Sequence, residues 1–415
     1  MTVAIFGAGI LGSCTALELA DRGFQVVLFE RNAEPMSEAS LYNEGKLHLG
    51  FVYAADPSFR TAERMIRGAV RFMTLLERWV PRSVLRMLPS APFDYVVHRE
   101  TMIGVPAIEA HFERVAQAER AERHRSGQRA DDAYRAPDRP SWRRLRAAEL
   151  ADRYDPEDIV AAYETCEIAV DTWLIAEQIR AAVRAHPRIE LLDETRVITA
   201  ANRSGGGYDV VFDADGVQRR GPFDAVVNAL WANRPAIDTR YGIPPRRQWI
   251  NRRKLGVNFQ CDGPADVPSF TVMLGPFGDV VAYRSGRVYL SWYPACMIGT
   301  SLGADETDWS AVVQSVDGER IARETVAALA RLCPEAGRLR SVPGIEPVIN
   351  GGTIYALGRT DIDDPASRLH ERIDTGIEGV GTYVSVDTAK FTLGPATAVE
   401  TADRIAGLMR RSAVA

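Results

Sequence analysis

The sequence predicts an α/β protein in two parts, a Rossmann-like dinucleotide-binding domain and a smaller α+β domain built on an antiparallel sheet. Three observations predict it. A strand–glycine–helix–strand unit occupies the first thirty residues. Residues 245–300 then switch to short strands joined by close turns, the pattern of a separate antiparallel layer. The chain has 415 residues, more than one ordinary core serves.

The opening unit has a physical reading at each position. Val3 to Phe6 is an apolar run suited to a buried strand, and Gly7, Gly9 and Gly12 follow at G-x-G-x-x-G spacing. The first glycine permits a tight turn, the second lets backbone approach a pyrophosphate, and the third lets helix and strand pack closely. Residues 10–21 have helical spacing, and the N-terminus of that helix favours an anion. A second strand over 25–29 ends on Glu30, where a carboxylate accepts from a ribose diol.

The elements that follow are read from period and punctuation. Residues 31–57 form a long polar loop with interleaved apolar residues, which marks it as ordered and functional. A helix is expected over 58–80 with Ser58 as its cap, a strand over 93–102 and a helix over 108–124. Residues 125–140 are charged and read as an exposed loop. A short helix over 145–154, a strand over 161–168 and a helix over 174–186 come next. Strands over 189–192, 196–201 and 208–212 precede a turn and the apolar strand 224–230, whose end is the crevice position of an open α/β sheet. Short strands fill 254–260, 269–274, 278–283 and 287–293. A helix over 309–333, strand and turn over 340–361, a strand over 379–386 and a last helix from about 392 to 411 complete the chain.

Composition narrows the classes. A net charge of −5 gives no footprint for nucleic acid or an anionic membrane. No run of about 18 uncharged apolar residues predicts a membrane span, and a cytoplasmic protein is expected. Five scattered cysteines without C-x-x-C spacing read as free thiols, and no metal site is expected. Of 50 basic residues only Lys46, Lys254 and Lys390 are lysines, a hint that a compact ammonium is wanted there.

Three blocks carry a family resemblance: the N-terminal fingerprint, Val170-Asp171-Thr-Trp with Asp224-Ala-Val-Val-Asn-Ala-Leu230, and Gly381-Thr-Tyr-Val-Ser-Val-Asp-Thr-Ala-Lys-Phe-Thr-Leu-Gly-Pro395. Their order resembles the D-amino-acid oxidase/glycine oxidase-like superfamily of FAD-dependent oxidoreductases. The block Asn43-Glu-Gly-Lys-Leu-His-Leu-Gly-Phe-Val-Tyr53 is similar to the flavin-side loop of L-2-hydroxyglutarate and glycerol-3-phosphate dehydrogenases. The resemblance implies FAD, a discontinuous FAD-binding domain over 1–80, 151–244 and 340–415, and a substrate-binding domain over 81–150 and 245–339. Gly7, Gly9, Gly12 and Glu30 match its ADP-binding positions, with Arg31 beside them. Ser40, Asn43 and Lys46 fall in the loop near pyrophosphate and flavin. Val197 matches a backbone contact to adenine, and Ala229 and Leu230 a turn against the cofactor. Gly394 matches the start of the last helix, whose positive end faces the flavin pyrimidine edge, with Lys390 and Thr392 just before it. Trp231 departs from the pattern, because a glycine is common there.

The reaction class implied is hydride transfer from a carbon bearing an amine or hydroxyl to flavin N5, with O2 or another acceptor taking the electrons. His48 is the first catalytic candidate, with a covalent link to FAD and a purely structural histidine as competing readings. Tyr53, Tyr283, Arg284, Tyr289 and Trp292 are candidates for the substrate wall. Arg284 suits a carboxylate fork, against a plain hairpin arginine, and Arg359 is a similar candidate. Lys254 is either a cation assisting oxygen reduction or a solvated lysine beside Arg252 and Arg253. The expected substrate is a small or medium amine or amino acid. The alternatives are a 2-hydroxy acid or alcohol, and a flavin-binding subunit without turnover.

Overall fold

The computed structural model describes residues 1–127, 140–245, 248–303, 307–341, 346–362, 364, 366–372 and 374–412. Most of the loop expected over 125–140 lies outside them.

A six-stranded sheet carries the nucleotide-binding half. Its order is Gly376–Val380, Tyr383–Asp387, Ala225–Asn228, Thr2–Phe6, Gln25–Phe29 and Ile189–Leu192. All neighbours run parallel except the edge strand Gly376–Val380. Val3 sits in register with Ala225 on one side and Val26 on the other, so the first strand is central and apolar on both faces. The helix Ile10–Asp21 is buried from Ile10 to Ala20 because it is covered by the sheet and by the last helix, Gly394–Ser412. The single strand expected over 379–386 is a hairpin, with Gly381 at φ +58° making the turn. A three-stranded antiparallel sheet, Thr195–Asn202, Tyr208–Ala214 and Val217–Phe223, lies beside this core. Val217–Phe223 was read as a turn from its polar sequence; it is an exposed outer strand held by backbone pairing.

The second half is a nine-stranded sheet. Two of its strands, Ile159–Thr165 and Val348–Leu357, come from segments assigned to the FAD domain, so the chain crosses between halves more often than the sequence boundaries imply. Trp249–Gln260 is the organising strand, pairing with Arg287–Trp292, Met297–Leu302 and Val348–Leu357. The helix Gly318–Leu332 covers this sheet through Ile321, Val326 and Leu329, and the helix expected over 309–333 is broken ahead of it, at 315–317. The helix expected from Ser58 begins at Arg60. Phe59 adopts φ +63°, and the Asp56 carboxylate takes the N–H groups of Ser58 and Thr61.

Several contacts tie the intervening loops and the two sheets together. Lys46–Leu47 pairs antiparallel with Ile168–Ala169. Asp171 caps the helix Thr172–Ala185 through Trp173 N and binds Arg287 at 2.8 Å, both side chains buried. No helix of the described residues is long and apolar enough to cross a membrane.

Candidate active site

A cavity of about 1610 Å³ runs from the glycine turn to the organising strand of the second sheet. Ordinary ligand pockets hold roughly 300–1,000 Å³, so this one has room for a cofactor and a substrate together.

The cofactor end is built by close backbone approach. Gly7 leaves its strand at φ +88°, a conformation natural only to glycine. A Cβ on Gly12 would sit 1.8 Å from Gly7 O, so the helix packs onto the turn only without a side chain there. Ser40 Oγ accepts from Ile10 N at 2.9 Å and ties the following loop to the helix start. The Glu30 carboxylate accepts from Ala8 N at 3.0 Å and from Asn32 N and Nδ2 at 3.0 and 2.8 Å. It therefore holds the glycine turn against the end of the second strand while lining the cavity. Arg31, Asn43, Val197, Ala229 and Leu230 line it too. Asn43 folds its own loop, donating to Ala39 O and accepting from Gly45 N. Trp231 takes φ +56°, the reason glycine suits that turn. Its strain is offset by a 2.8 Å bond from Nε1 to Thr353 O and by packing beside Trp249 and Tyr355.

At the far end stand the chemical groups. His48 is buried, its ring edge-on to Tyr53 with centroids 5.5 Å apart. His48 Nδ1 lies 3.5 Å from Glu167 Oε1. Glu167 is fixed by Leu49 N and the Tyr95 hydroxyl. Burial pushes the His48 imidazole below its usual range, and Lys390 and Lys46 add to this against the opposing pull of Glu167, so the ring is neutral at pH 7. Thr392 Oγ1 accepts from His48 N at 3.1 Å and donates to Lys46 O at 2.9 Å, clamping the loop from behind. Thr392 does not line the cavity, and neither does Gly394, which packs against Ile10 so that the first and last helices begin side by side. Burial raises the Tyr53 phenol, whose hydroxyl has no hydrogen-bond partner among the described residues.

All three lysines line this one cavity. Lys46 is ion-paired with Asp279 at 2.7 Å and touches Thr271. Lys254 is not the solvated lysine that its arginine neighbours suggest; its Nζ lies 4.7 Å from the Tyr293 ring centroid inside the cavity. Lys390 is pushed down to about 8, by burial first and then by Arg372, Lys46 and Lys254, with Glu44 opposing.

Arg284 is a correction: it is exposed at a hairpin turn, donates to Arg86 O at 3.2 Å and does not line the cavity. Arg359 is exposed as well, and the Tyr283 hydroxyl is spent on Glu44 O. Among the arginines that line the cavity, Arg372 is buried beside Arg252, Tyr53 and Tyr293. No carboxylate of the described residues lies within 4.0 Å of its guanidinium, and its Nε has no hydrogen-bond partner. No motif marks Arg372; it is one arginine among many in an irregular segment.

A glycine cradle at a helix start, a carboxylate at the end of the second strand and an open polar chamber beyond fit FAD. Comparison with known proteins agrees. The chain is similar in structure to glycine oxidase from Geobacillus kaustophilus, with 16% identity, TM-score 0.61, and 98% and 94% of the two chains covered. L-alpha-glycerophosphate oxidase from Mycoplasma pneumoniae, solved with FAD bound, gives 15%, 0.63, 98% and 95%. Iminodiacetate oxidase from Chelativorans sp. BNC1 gives 17%, 0.62, 98% and 95%. A short stretch of 45 residues is 51% identical to the tRNA 5-methylaminomethyl-2-thiouridine biosynthesis bifunctional protein MnmC of Pseudomonas entomophila, spanning 11% of this chain and only 7% of that protein. The family profile described as FAD dependent oxidoreductase matches residues 2–404. The chain therefore belongs to the FAD-dependent oxidoreductase family, and its cofactor is FAD.

Proposed function

We propose that the protein oxidises the C–N bond of a small acidic amine or amino acid. Arg372 carries the reading: a buried guanidinium in the cavity, without a carboxylate partner among the described residues, is arranged to receive one from a ligand. Tyr53 and His48 share that end of the cavity. Bound FAD supplies the hydride acceptor at N5. His48, neutral through burial, takes the proton released as the amine is oxidised, and Glu167 beside Nδ1 stabilises the charge that results. Gly7, Gly9, Gly12, Glu30, Arg31, Ser40, Asn43, Val197, Ala229 and Leu230 hold the cofactor. Lys390 and Lys46, both in the cavity lining, would stand near its ring, while Thr392 supports the loop from behind and Gly394 sets the last helix against the first.

The amine reading draws support from glycine oxidase and iminodiacetate oxidase among the similar structures. A second reading, oxidation of a 2-hydroxy acid or other alcohol, is favoured by the His48 loop and by the likeness to glycerophosphate oxidase. Anaerobic mixing of the FAD-loaded protein with paired amine and hydroxy acids separates the two. Bleaching near about 450 nm by an acidic amine, with release of ammonia or a primary amine, is the expected result. Bleaching by hydroxy acids alone rejects it. Peroxide formation on readmitting air assigns O2 as acceptor.

A further inference from the structure

The charges of the substrate end do not balance. Lys46 is matched by Asp279, Arg252 by Asp361 at 2.7 Å, and Arg253 faces Glu38 at 3.7 Å. Lys254, Lys390 and Arg372 have no carboxylate within 4.0 Å among the described residues. One half-buried unpaired carboxylate, Glu44, faces the lysines; Asp308 also lines the cavity but is exposed and accepts from Ser310 N. Glu167 lies behind His48, outside the cavity lining, and is already bound by two donors. Two positive charges are left over. Oxidised flavin is neutral in its ring, and its pyrophosphate belongs to the glycine turn at the opposite end, so the cofactor does not cancel them. Leaving like charges together in a partly desolvated chamber is costly unless a ligand supplies the counter-charge.

We propose that the substrate is a dianion, carrying two negative charges beside its reacting centre, either as two carboxylates or as a phosphate monoester. Arg372 takes one anionic charge through its planar fork. Lys254, held on the Tyr293 ring, takes the other as a compact point charge. The inference deepens the function proposed above and rests on its assignment of this cavity to the substrate.

Binding of inert ligands tests it without turnover. The FAD-loaded protein is titrated with butyrate, succinate and glycerol 2-phosphate, following the visible flavin spectrum. A dianion is expected to bind about ten- to a hundredfold more tightly than butyrate. Whether succinate or glycerol 2-phosphate leads assigns the source of the second charge. In Lys254→Met the dianion advantage falls to within about threefold while butyrate affinity is kept, and Lys254→Arg restores part of it. Equal affinity for all three ligands overturns the proposal. So does a Lys254→Met protein of full flavin content that still prefers the dianion. If the dianion preference holds but no amine bleaches the flavin, the dianion stands and the amine reading falls.

Discussion

The pair between Lys46 and Asp279 is the contact whose loss the structure prices most directly. Lys46 sits in the flavin-side loop and Asp279 on a strand of the second sheet, and the Lys46 side chain is only 3% exposed. Replacing Lys46 with methionine keeps most of its apolar stem and removes the charge, together with the contact of its ammonium over the Phe93 ring. Asp279 then keeps its burial but loses its ammonium and one donor, leaving Thr271 and the more distant Lys254. Breaking one side of a buried pair costs about 3–5 kcal/mol. For a chain of 415 residues, unfolding entropy near about 2.1 cal/mol/K per residue converts this to a melting shift of roughly 3–6 °C. The pH dependence has a fixed sign. Burial pushes the Asp279 carboxyl up, but Lys46 and Lys254 more than reverse this, so its folded value lies below the ordinary one. That stabilisation is present above the unfolded value near about 3.9 and is lost as pH falls through the folded value. The gap between wild type and Lys46→Met is therefore full at pH 7 and closes below about pH 4. Calorimetry of both proteins after FAD removal measures it, with the double variant Lys46→Met/Asp279→Leu as control. The double variant is expected to recover most of the loss. A single variant within about 1 kcal/mol of wild type, or a double variant no better than the single, refutes the reasoning.

Three further outcomes follow from the site. Gly12→Ala places a methyl 1.8 Å from Gly7 O and is expected to yield protein without flavin, read from its absorbance after purification. Glu30→Ala removes the acceptor of three hydrogen bonds around the glycine turn; FAD affinity, titrated on the apoprotein, is expected to fall at least about tenfold. His48→Asn is expected to slow flavin reduction by about 10²–10⁴ in stopped-flow under anaerobic conditions. Because His48 is held below its usual range, the wild-type rate loses its base only as pH falls through that lowered value, and the variant lacks that acidic limb.

What the sequence disclosed tracks how tightly backbone geometry constrains it. The glycines, Glu30 and the loop from Asn43 to Tyr53 were legible because a turn, a close approach or a loop of fixed length admits few residues. Tyr53 and His48 were found through their neighbours in that loop and do meet in the structure. Arg372 was not legible: it lies in an irregular segment, and nothing local distinguishes it from surface arginines. Arg284 looked suitable because it ends a strand of the second sheet, but the hairpin turn points it outward. For Lys254 the sequence left two readings open, an inward cation or a solvated lysine beside Arg252 and Arg253. Its inward placement depends on the pairing of its strand, which shifts register against Met297–Leu302 between Arg253 and Lys254. That shift is a tertiary fact, with no trace in the local pattern.

The strand order of the first sheet also sets when this protein can fold during synthesis. Thr2–Phe6 meets one partner, Gln25–Phe29, soon after it is made, yet its other partner, Ala225–Asn228, arrives more than two hundred residues later. Ala225–Asn228 in turn waits for Tyr383–Asp387, and the face of the first helix that meets Gly394–Ser412 stays uncovered until that helix is made. The nascent chain thus holds one open edge of its first strand and, for about 20–80 s at ordinary elongation rates, one open face of its first helix. Chaperone demand is expected to concentrate in this N-terminal unit, the same thirty residues that later cradle the cofactor.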